Sequence, residues 1–330
     1  SLPLPHSAHF CPQTNPAGPM AGENQTHVTE FMLLGFSRGQ PFLFVLFLAI
    51  YLATLLGNSA ILALVFLDSH LHSPMYFFLS HLSCLDICYS SVTVPKILAN
   101  ALRPQATISY LGCLAQIFFL MGCAGAECSL LAVMAYDRYI AICQPLRYAH
   151  AMSWGVCVAA ATGCWLWGMM DSAVNTLLAS RLSFCRAAQL QHIFCDVPPL
   201  LGAACSNIHP SEVALHAASV FVGLSPFLLV VVSYLRILAT VLRMPVATSR
   251  RKAFSTCSAH LLVVTLYFAT ANLNYNRPSS GYSPAADTLV SALYCIITPM
   301  LNPLIYSLRN QKVRGALRKA VWGQGTLGSP

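Results

Sequence analysis

Seven long apolar blocks, separated by short polar segments, organise this chain. As a helix, each block is long enough to cross a hydrocarbon layer roughly 30 Å thick, which takes about 20 residues. The blocks are 42–67, 76–101, 111–142, 154–179, 212–242, 253–275 and 285–308. A helix is expected for each, because it satisfies every backbone donor and acceptor within its own segment. The pattern predicts an all-α membrane protein, a seven-transmembrane helix bundle.

The segment after the seventh block has a different periodicity. Val313, Leu317 and Val321 recur every four residues with basic residues between them, which predicts a short amphipathic C-terminal helix on the anionic inner leaflet. The chain then divides into an N-terminal segment, 1–41, the bundle, 42–308, and a cytoplasmic helix and tail, 309–330. Residues 1–19 are rich in proline and polar residues and are expected to be a disordered extension before Met20.

Charge adds an orientation to this picture. Charged residues make up 8% of the chain, against about 25% in a soluble domain. Twelve of the 18 Lys and Arg residues fall in 138–147, 236–252 and 309–319, all on one side. Basic loops stay cytoplasmic, so the N terminus is expected outside, where the only acceptor sequon predicts glycosylation of Asn24. The net charge of +8 therefore reports topology, and no nucleic-acid partner is expected.

The fourteen cysteines separate by depth. Most lie within the apolar blocks and are expected to be small buried hydrophobes. Four lie on the predicted outer side, where the oxidising environment lets disulfides persist: Cys113, Cys185, Cys195 and Cys205. Four cysteines permit three pairings, and spacing does not choose among them.

Three segments match motifs of enzymes or metal sites without the required setting. Residues 323–328 fit the dinucleotide-binding glycine pattern but follow no strand and open no helix. Residues 35–39 fit the nucleophile-elbow pattern without a strand-turn-helix. His70 and His72 near Asp68 are expected to be solvated side chains rather than metal ligands. Neither an enzyme nor a metal centre is predicted.

Acidic residues within the blocks are the first functional candidates. Asp86, Glu127 and Asp171 lie where a charge costs roughly 2.5–3.5 kcal/mol on insertion scales. For Asp86 and Glu127 a shared functional polar cavity is favoured over simple interior packing. Asp171 is open between function and a carboxylate that reaches the outer interface.

Two further features suit a bundle that moves. Asp137 and Arg138 end the third block, where an ion pair could serve as a switch or only as an interfacial anchor; their adjacency leaves both open. Pro226, Pro299 and Pro303 each remove a backbone donor, so kinks are expected there.

Four strings, in order, resemble the odorant receptor branch of the rhodopsin-like G-protein-coupled receptors. They are LHSPMYFFLS at 71–80, MAYDRYIAIC at 134–143, KAFSTC at 252–257 and PMLNPLIYSLRN at 299–310. The resemblance runs from about residue 31 to 320. It implies a multi-pass plasma-membrane receptor that binds odorants and activates the heterotrimeric olfactory stimulatory G protein, which raises cyclic AMP.

The resemblance also implies roles for individual residues. It implies a Cys113–Cys195 disulfide and a Cys185–Cys205 disulfide within the long outer loop. Two further implied groups are a central polar cavity with a possible sodium ion, and an inner-face switch. Their members are Asn58, Asp86, Glu127 and Asn302 for the cavity, and Asp137, Arg138, Tyr139 and Tyr234 for the switch.

Two departures from the family pattern affect the sixth helix. Ser258-Ala259-His260 stands where Ser-Ser-His is usual, and Tyr267-Phe268-Ala269 stands where Phe-Tyr-Gly is common. Phe268 lacks the hydroxyl expected at its position. Tyr267 is one residue away, about 100° round the helix, so it is not expected to substitute for the missing hydroxyl.

The ligand pocket is expected between the outer halves of the third, fifth, sixth and seventh helices. Its predicted lining is Leu120, Met121, Ala124, Gly125, Ala218, Ser219, Val222, Phe268, Ala271, Asn272, Tyr275, Ala292 and Cys295. An apolar wall with a few polar groups is typical of a small-molecule site, and half of these residues are equally well explained as packing. No Lys or Arg is among them, so small neutral volatiles are favoured and carboxylates are not; Asp171 leaves a minor opening for amines.

Two other functions compete with this interpretation. The alternative is a rhodopsin-like receptor for a non-odorant ligand outside the nose, because neither the fold nor the sequence determines the tissue in which the receptor is expressed. A transporter or channel would show paired repeats, broken helices or filter loops, and the chain has none of these sequence features.

Overall fold

The computed structural model describes residues 28–35, 41–184, 189–243, 247–275 and 284–322. Within these residues, seven long helical spans form a bundle, as the hydropathy pattern predicts. The first four are Pro41–Leu67, Pro74–Ala101, Tyr110–Cys143 and Trp154–Ala179. The fifth comprises His209–Ala218, Ser219–Leu224 and Ser225–Leu242, the sixth is Ala247–Tyr275, and the seventh comprises Pro284–Ala292, Leu293–Ile297 and Thr298–Arg309.

Among the described residues, five helices are long and apolar enough to cross a membrane by length and composition alone. They belong to the first, second, third, fifth and seventh spans. The fourth and sixth spans have 26 and 29 residues, which is also long enough. The fourth span contains three tryptophans, Asp171 and Asn175, and the sixth begins with polar and basic residues, which lowers the mean hydropathy of both.

Two of the three prolines predicted to kink the spans, Pro226 and Pro299, follow π-helical turns, whereas Pro303 lies inside the helix Thr298–Arg309. The turn Ser219–Leu224 comes directly before the helix that opens with Ser225 and Pro226. The turn Leu293–Ile297 likewise comes directly before Thr298 and Pro299. Proline donates no backbone hydrogen bond and crowds the carbonyl four residues earlier, and a π turn accommodates this by adding one residue to the turn.

Glycines let the third and fourth spans approach closely. A Cβ placed on Gly168 would contact the Gly122 carbonyl oxygen, and it would lie 2.5 Å from the Ala126 nitrogen. A Cβ on Gly125 would lie 3.0 Å from the Gly168 Cα and 3.1 Å from the Val222 Cγ1. Backbone-to-backbone packing through small residues is typical of membrane helices. It makes the third span the axis of the bundle.

A small sheet at the predicted outer end was not expected from the sequence. Strand β1, Glu30–Leu33, lies between β2, Thr107–Ser109, and β3, Gln189–Leu190. It pairs antiparallel with β2, placing Phe31 opposite Ile108, and parallel with β3, placing Leu33 opposite Leu190. The sheet connects the segment before the first span to two outer loops, and a short helix, Val197–Ala203, follows it.

Short helices occupy the opposite end. Single 3-10 turns form at Ser69–Leu71 and Pro145–Arg147, and a four-residue helix follows at Tyr148–Ala151. The predicted C-terminal helix is Gln311–Trp322. Its Val313 and Ala316 are buried, whereas Lys312 and Arg314 are exposed, so the amphipathic pattern is confirmed and part of its apolar face packs on the bundle. Asn310 caps it by accepting from Lys312 N at 3.0 Å.

Candidate functional site

A cavity of about 920 Å³ lies between the third, fifth and sixth spans, with further wall from the fourth and seventh. Its size is within the range of small-molecule sites. Nine of the thirteen predicted pocket residues lie in its wall: Met121, Ala124, Gly125, Ala218, Ser219, Val222, Phe268, Ala271 and Asn272. The wall is almost entirely apolar.

The other four predicted residues do not line this cavity among the described side chains. Leu120 precedes Met121 and points about 100° away from it round the third helix. It is fully buried in the central core. Ala292 packs against the same core. Cys295 lies in the π turn of the seventh span and contacts the Tyr89 hydroxyl at 3.3 Å. The Tyr275 side chain lies outside the described part of the chain.

The π turn explains why the seventh span presents a different residue. One extra residue in the turn rotates the helix face relative to an ideal 3.6-residue register. Tyr294, not Cys295, therefore lines the cavity. Sequence spacing alone gave no sign of this shift.

The cavity also extends further inward than expected. The prediction placed it between the outer halves of the helices, but its wall continues along the seam between the fifth and sixth spans to Tyr234, Val241 and Cys257. At its outer end it reaches Asp171 on the fourth span.

A buried hydroxyl cluster lies beside the cavity, where the third, sixth and seventh spans meet. Tyr267, 1% exposed, donates to the Ala124 carbonyl oxygen at 2.8 Å and lies 2.9 Å from the Tyr294 hydroxyl. The Cys128 thiol contacts the same Tyr267 oxygen at 3.4 Å. Phe268 faces the cavity instead, 5.2 Å from the Phe227 ring centroid. The two neighbouring residues thus have separate surroundings.

The four predicted polar-cavity residues are all buried near the centre of the bundle. The Asn302 amide donates to both Asp86 carboxylate oxygens, at 3.0 and 3.1 Å. The Asn58 amide donates to the Pro299 carbonyl at 3.1 Å. Among the described residues, Glu127 Oε1, Asn302 Oδ1 and Asn58 Oδ1 have no hydrogen-bond partner. Buried oxygens without partners are costly, so this centre retains unused hydrogen-bonding capacity.

The inner end of the third span holds an ion pair. Arg138 donates to Asp137 Oδ2 through its Nε at 2.8 Å and through Nη2. Tyr148, in the short helix after that span, donates to the other carboxylate oxygen at 2.8 Å. Burial raises the pKa of Tyr148 above its ordinary value, which keeps the phenol protonated as a donor. Asp137 is fully buried, so the pair lies inside the bundle rather than on its surface.

Tyr234 and Tyr139 lie close to this ion pair. The Tyr234 hydroxyl lies 2.6 Å from His260 Nδ1, and the two rings are stacked. Tyr139 accepts from the Gln144 amide at 2.9 Å and packs against Ile237, Val241 and Cys257. The fifth and sixth spans are thereby joined at the inner face. His260 is therefore a further residue of the inner-face site; in the sequence it was noted only as part of the Ser258-Ala259-His260 string.

At the outer face, Cys113 at the start of the third span is bonded to Cys195. This pairing, implied by the family resemblance, is confirmed. Cys205 is also disulfide-bonded, and its expected partner, Cys185, lies outside the described residues. Asn24 and the glycine motif at 323–328 lie outside them as well.

In the loop between the first and second spans, Asp68 accepts from the His70 backbone N–H at 3.0 Å, which lowers the pKa of the Asp68 carboxyl.

Comparison with known proteins points to one family. A family model described as "Olfactory receptor" matches residues 47–324. Human olfactory receptor 1F1 is 48% identical over 305 residues, covering 92% of this chain and 98% of that receptor. Human olfactory receptor 2A5 is 48% identical over 306 residues with the same coverage. Gorilla olfactory receptor 1G1 is 46% identical over 306 residues, again covering 92% and 98%.

The architecture has a counterpart among solved structures. Squid rhodopsin superposes with a TM-score of 0.66 at 17% sequence identity, covering 86% of this chain and 87% of that one. At that identity the likeness concerns the fold alone. It agrees with the seven-helix arrangement described above.

Proposed function

The chain belongs to the olfactory receptor family and is a multi-pass membrane receptor rather than an enzyme; from that premise we propose that it binds small, mainly apolar odorants in the cavity between its third, fifth and sixth spans. Binding activates the olfactory stimulatory G protein and raises cyclic AMP. The receptor acts at the plasma membrane with its N terminus outside.

One observation supports this site above the others. The cavity joins three spans that a ligand must bridge, and its wall is apolar apart from a few separated polar groups. Apolar burial then supplies most of the affinity, while Ser219 and Asn272 supply directional hydrogen bonds. Among the described lining residues none is Lys, Arg or His, which disfavours carboxylate ligands and favours neutral ones.

The inner-face residues transmit binding in this proposal. Arg138 is neutralised by Asp137 in the resting receptor, and its release would make a guanidinium available to the G protein. The hydrogen bond between Tyr234 and His260 joins the fifth and sixth spans at the same depth. A ligand that changes the separation of these two spans therefore changes the surroundings of Arg138.

The buried polar centre fits a small hard cation, and we include a sodium ion in the proposal. Sodium prefers oxygen ligands, as other hard cations do. Asp86 and Glu127 supply carboxylates, and Asn58 and Asn302 each retain an unpartnered amide oxygen. When bound, the ion would neutralise part of the negative charge held in the bundle centre.

Cyclic AMP measurement in cells that contain the olfactory G protein tests the function. The full chain and Arg138→Ala would be compared across neutral odorants, acids and amines, with surface levels measured by antibody. We expect a response to at least one neutral odorant that Arg138→Ala abolishes at equal surface level.

Three results would count against the proposal. A full response in Arg138→Ala would exclude the inner-face switch. Silence of a well-displayed receptor across the panel would argue against an odorant ligand and favour a non-odorant one. Activation by a carboxylic acid at low micromolar concentration would exclude the assigned cavity chemistry.

A further inference from the structure

Asp171 lies at the outer end of the cavity because of how the fourth span packs. The contact of Gly168 with Gly122 and Ala126 fixes the rotation of the fourth helix against the third. Asp171 is three residues further along, on the same helix face one turn outward. That turn places it in the cavity wall together with Met121 and Ala218.

Among the described residues of this wall, Asp171 is the one that carries a charged side chain. The Asn175 amide donates to the Asp171 Oδ1 at 3.4 Å, a long and weak hydrogen bond. The ion pairs found among the described residues are His70 with Asp68 and Arg138 with Asp137, and neither involves Asp171. The cavity therefore has a fixed anionic group whose counter-ion the described part of the protein does not supply.

The lining of the rest of the cavity restricts the chemical class of the cation that can pair with Asp171. Around Asp171 the cavity is bounded by apolar side chains and small residues, and Val222 and Phe268 lie further along it. A fully hydrated inorganic cation would leave these surfaces in contact with water. An organic cation with an apolar body satisfies both parts of the cavity.

We propose that this receptor binds protonated amines, with the ammonium group on the Asp171 carboxylate and the hydrocarbon part along Met121, Val222 and Phe268. The inference rests on the proposed function, since it concerns the same cavity, and it adds a ligand class to the neutral odorants. A hydrogen bond to a charged partner is stronger than one between neutral groups. An amine should therefore act at about tenfold lower concentration than the alcohol of the same shape.

Ligands matched in shape give the test. Cyclohexylamine is protonated at neutral pH, cyclohexanol has the same ring with a neutral hydroxyl, and aniline is a ring amine that stays neutral. Half-maximal concentrations for cyclic AMP would be measured with the unaltered receptor and with Asp171→Asn. We expect cyclohexylamine to be the most potent, and Asp171→Asn to reduce its potency about tenfold while leaving the cyclohexanol response within about twofold.

Two more variants separate a local ion pair from other effects. Glu212→Gln removes a carboxylate in the first turn of the fifth span, outside the cavity wall, and should leave the ratio of amine to alcohol potency unchanged. Asp171→Glu keeps the charge and should preserve amine preference. If Asp171→Asn is poorly displayed, the ligand series on the unaltered receptor and on Asp171→Glu still decides the question.

The outcomes distinguish this inference from the function on which it rests. A receptor that responds to cyclohexanol but no better to cyclohexylamine overturns the amine site and leaves the odorant receptor function intact. Retained amine preference in Asp171→Asn, or its loss in Glu212→Gln, also overturns it. Silence of a well-displayed receptor to all three ligands and to the wider odorant panel contradicts both proposals.

Discussion

Removing the hydroxyl of Tyr267 should raise the activity of the receptor in the absence of odorant. Tyr267→Phe deletes the group that donates to the Ala124 carbonyl at 2.8 Å and contacts the Tyr294 hydroxyl at 2.9 Å. These contacts join the sixth span to the third and seventh in the arrangement where Arg138 is paired with Asp137. The phenyl ring itself remains, so core packing changes little.

The expected rise in basal activity follows from the free energy of the hydrogen bond that the substitution removes. One net hydrogen bond between the sixth and third spans is worth about 1 kcal/mol. If that bond is made only in the resting arrangement, its loss shifts the resting-to-active equilibrium about fivefold. Basal cyclic AMP should rise by a similar factor while the active population is small.

Basal cyclic AMP would be measured without ligand and divided by surface receptor level. Tyr51→Phe is the matched control, because its hydroxyl bonds to Ser91 at 3.1 Å, between the first and second spans. Tyr294→Phe and the double variant complete a cycle that isolates the coupling between the two hydroxyls. A basal level in Tyr267→Phe equal to that of the parent and of Tyr51→Phe would refute the reasoning.

Three further expectations follow from contacts elsewhere in the bundle. Gly168→Ala should lower the level of folded receptor at the cell surface, because overpacking against the third-span backbone costs about 1–3 kcal/mol. Gly163→Ala is the control and should not lower it, because its Cβ would meet nothing within 4 Å. Equal surface levels of the two variants would contradict the close approach of the third and fourth spans. Cys195→Ser removes the disulfide and should lower the free energy of unfolding by about 2–4 kcal/mol. The purified variant should therefore melt at a lower temperature than the parent receptor. An unchanged melting temperature would count against a structural role for the disulfide. Tyr148→Phe removes a donor to Asp137 and should raise basal cyclic AMP, and a lowered basal level would show that this tyrosine supports the active state instead.

The sequence was sufficient for the spans because their signal is local and long. A run of about 20 apolar residues needs no tertiary information to be identified as a membrane helix, and the first span, Pro41–Leu67, agrees with its predicted block to one residue. The sixth begins at Ala247 rather than 253. Its first turn carries Arg250 and other polar residues that extend beyond the apolar block, so hydropathy does not reveal where the helix starts.

The outer sheet and the π turns were beyond the reach of the same reasoning. Strand β3 has two residues, Gln189–Leu190, too few to show an alternating pattern, and its partner β1 precedes the first span. A π turn depends on how the helix packs around a proline, so Pro299 predicts a kink without fixing which neighbour faces inward. Cys295 was therefore placed in the cavity wall where Tyr294 is found.

The shape of the cavity bears on how a ligand at its outer end affects the inner face. Its wall begins at Asp171 and passes Tyr234 on its way to Val241 and Cys257; the Tyr234 hydroxyl lies 2.6 Å from His260 Nδ1. The proposed ligand site and the proposed switch thus share the seam between the fifth and sixth spans, and the proposal needs no separate relay of side chains. An amine held at Asp171 is anchored on the fourth span, which the glycine contacts fix to the third. The fifth and sixth spans are then the parts free to adjust to its hydrocarbon body, so the length of that body, more than its charge, should decide how far activation proceeds.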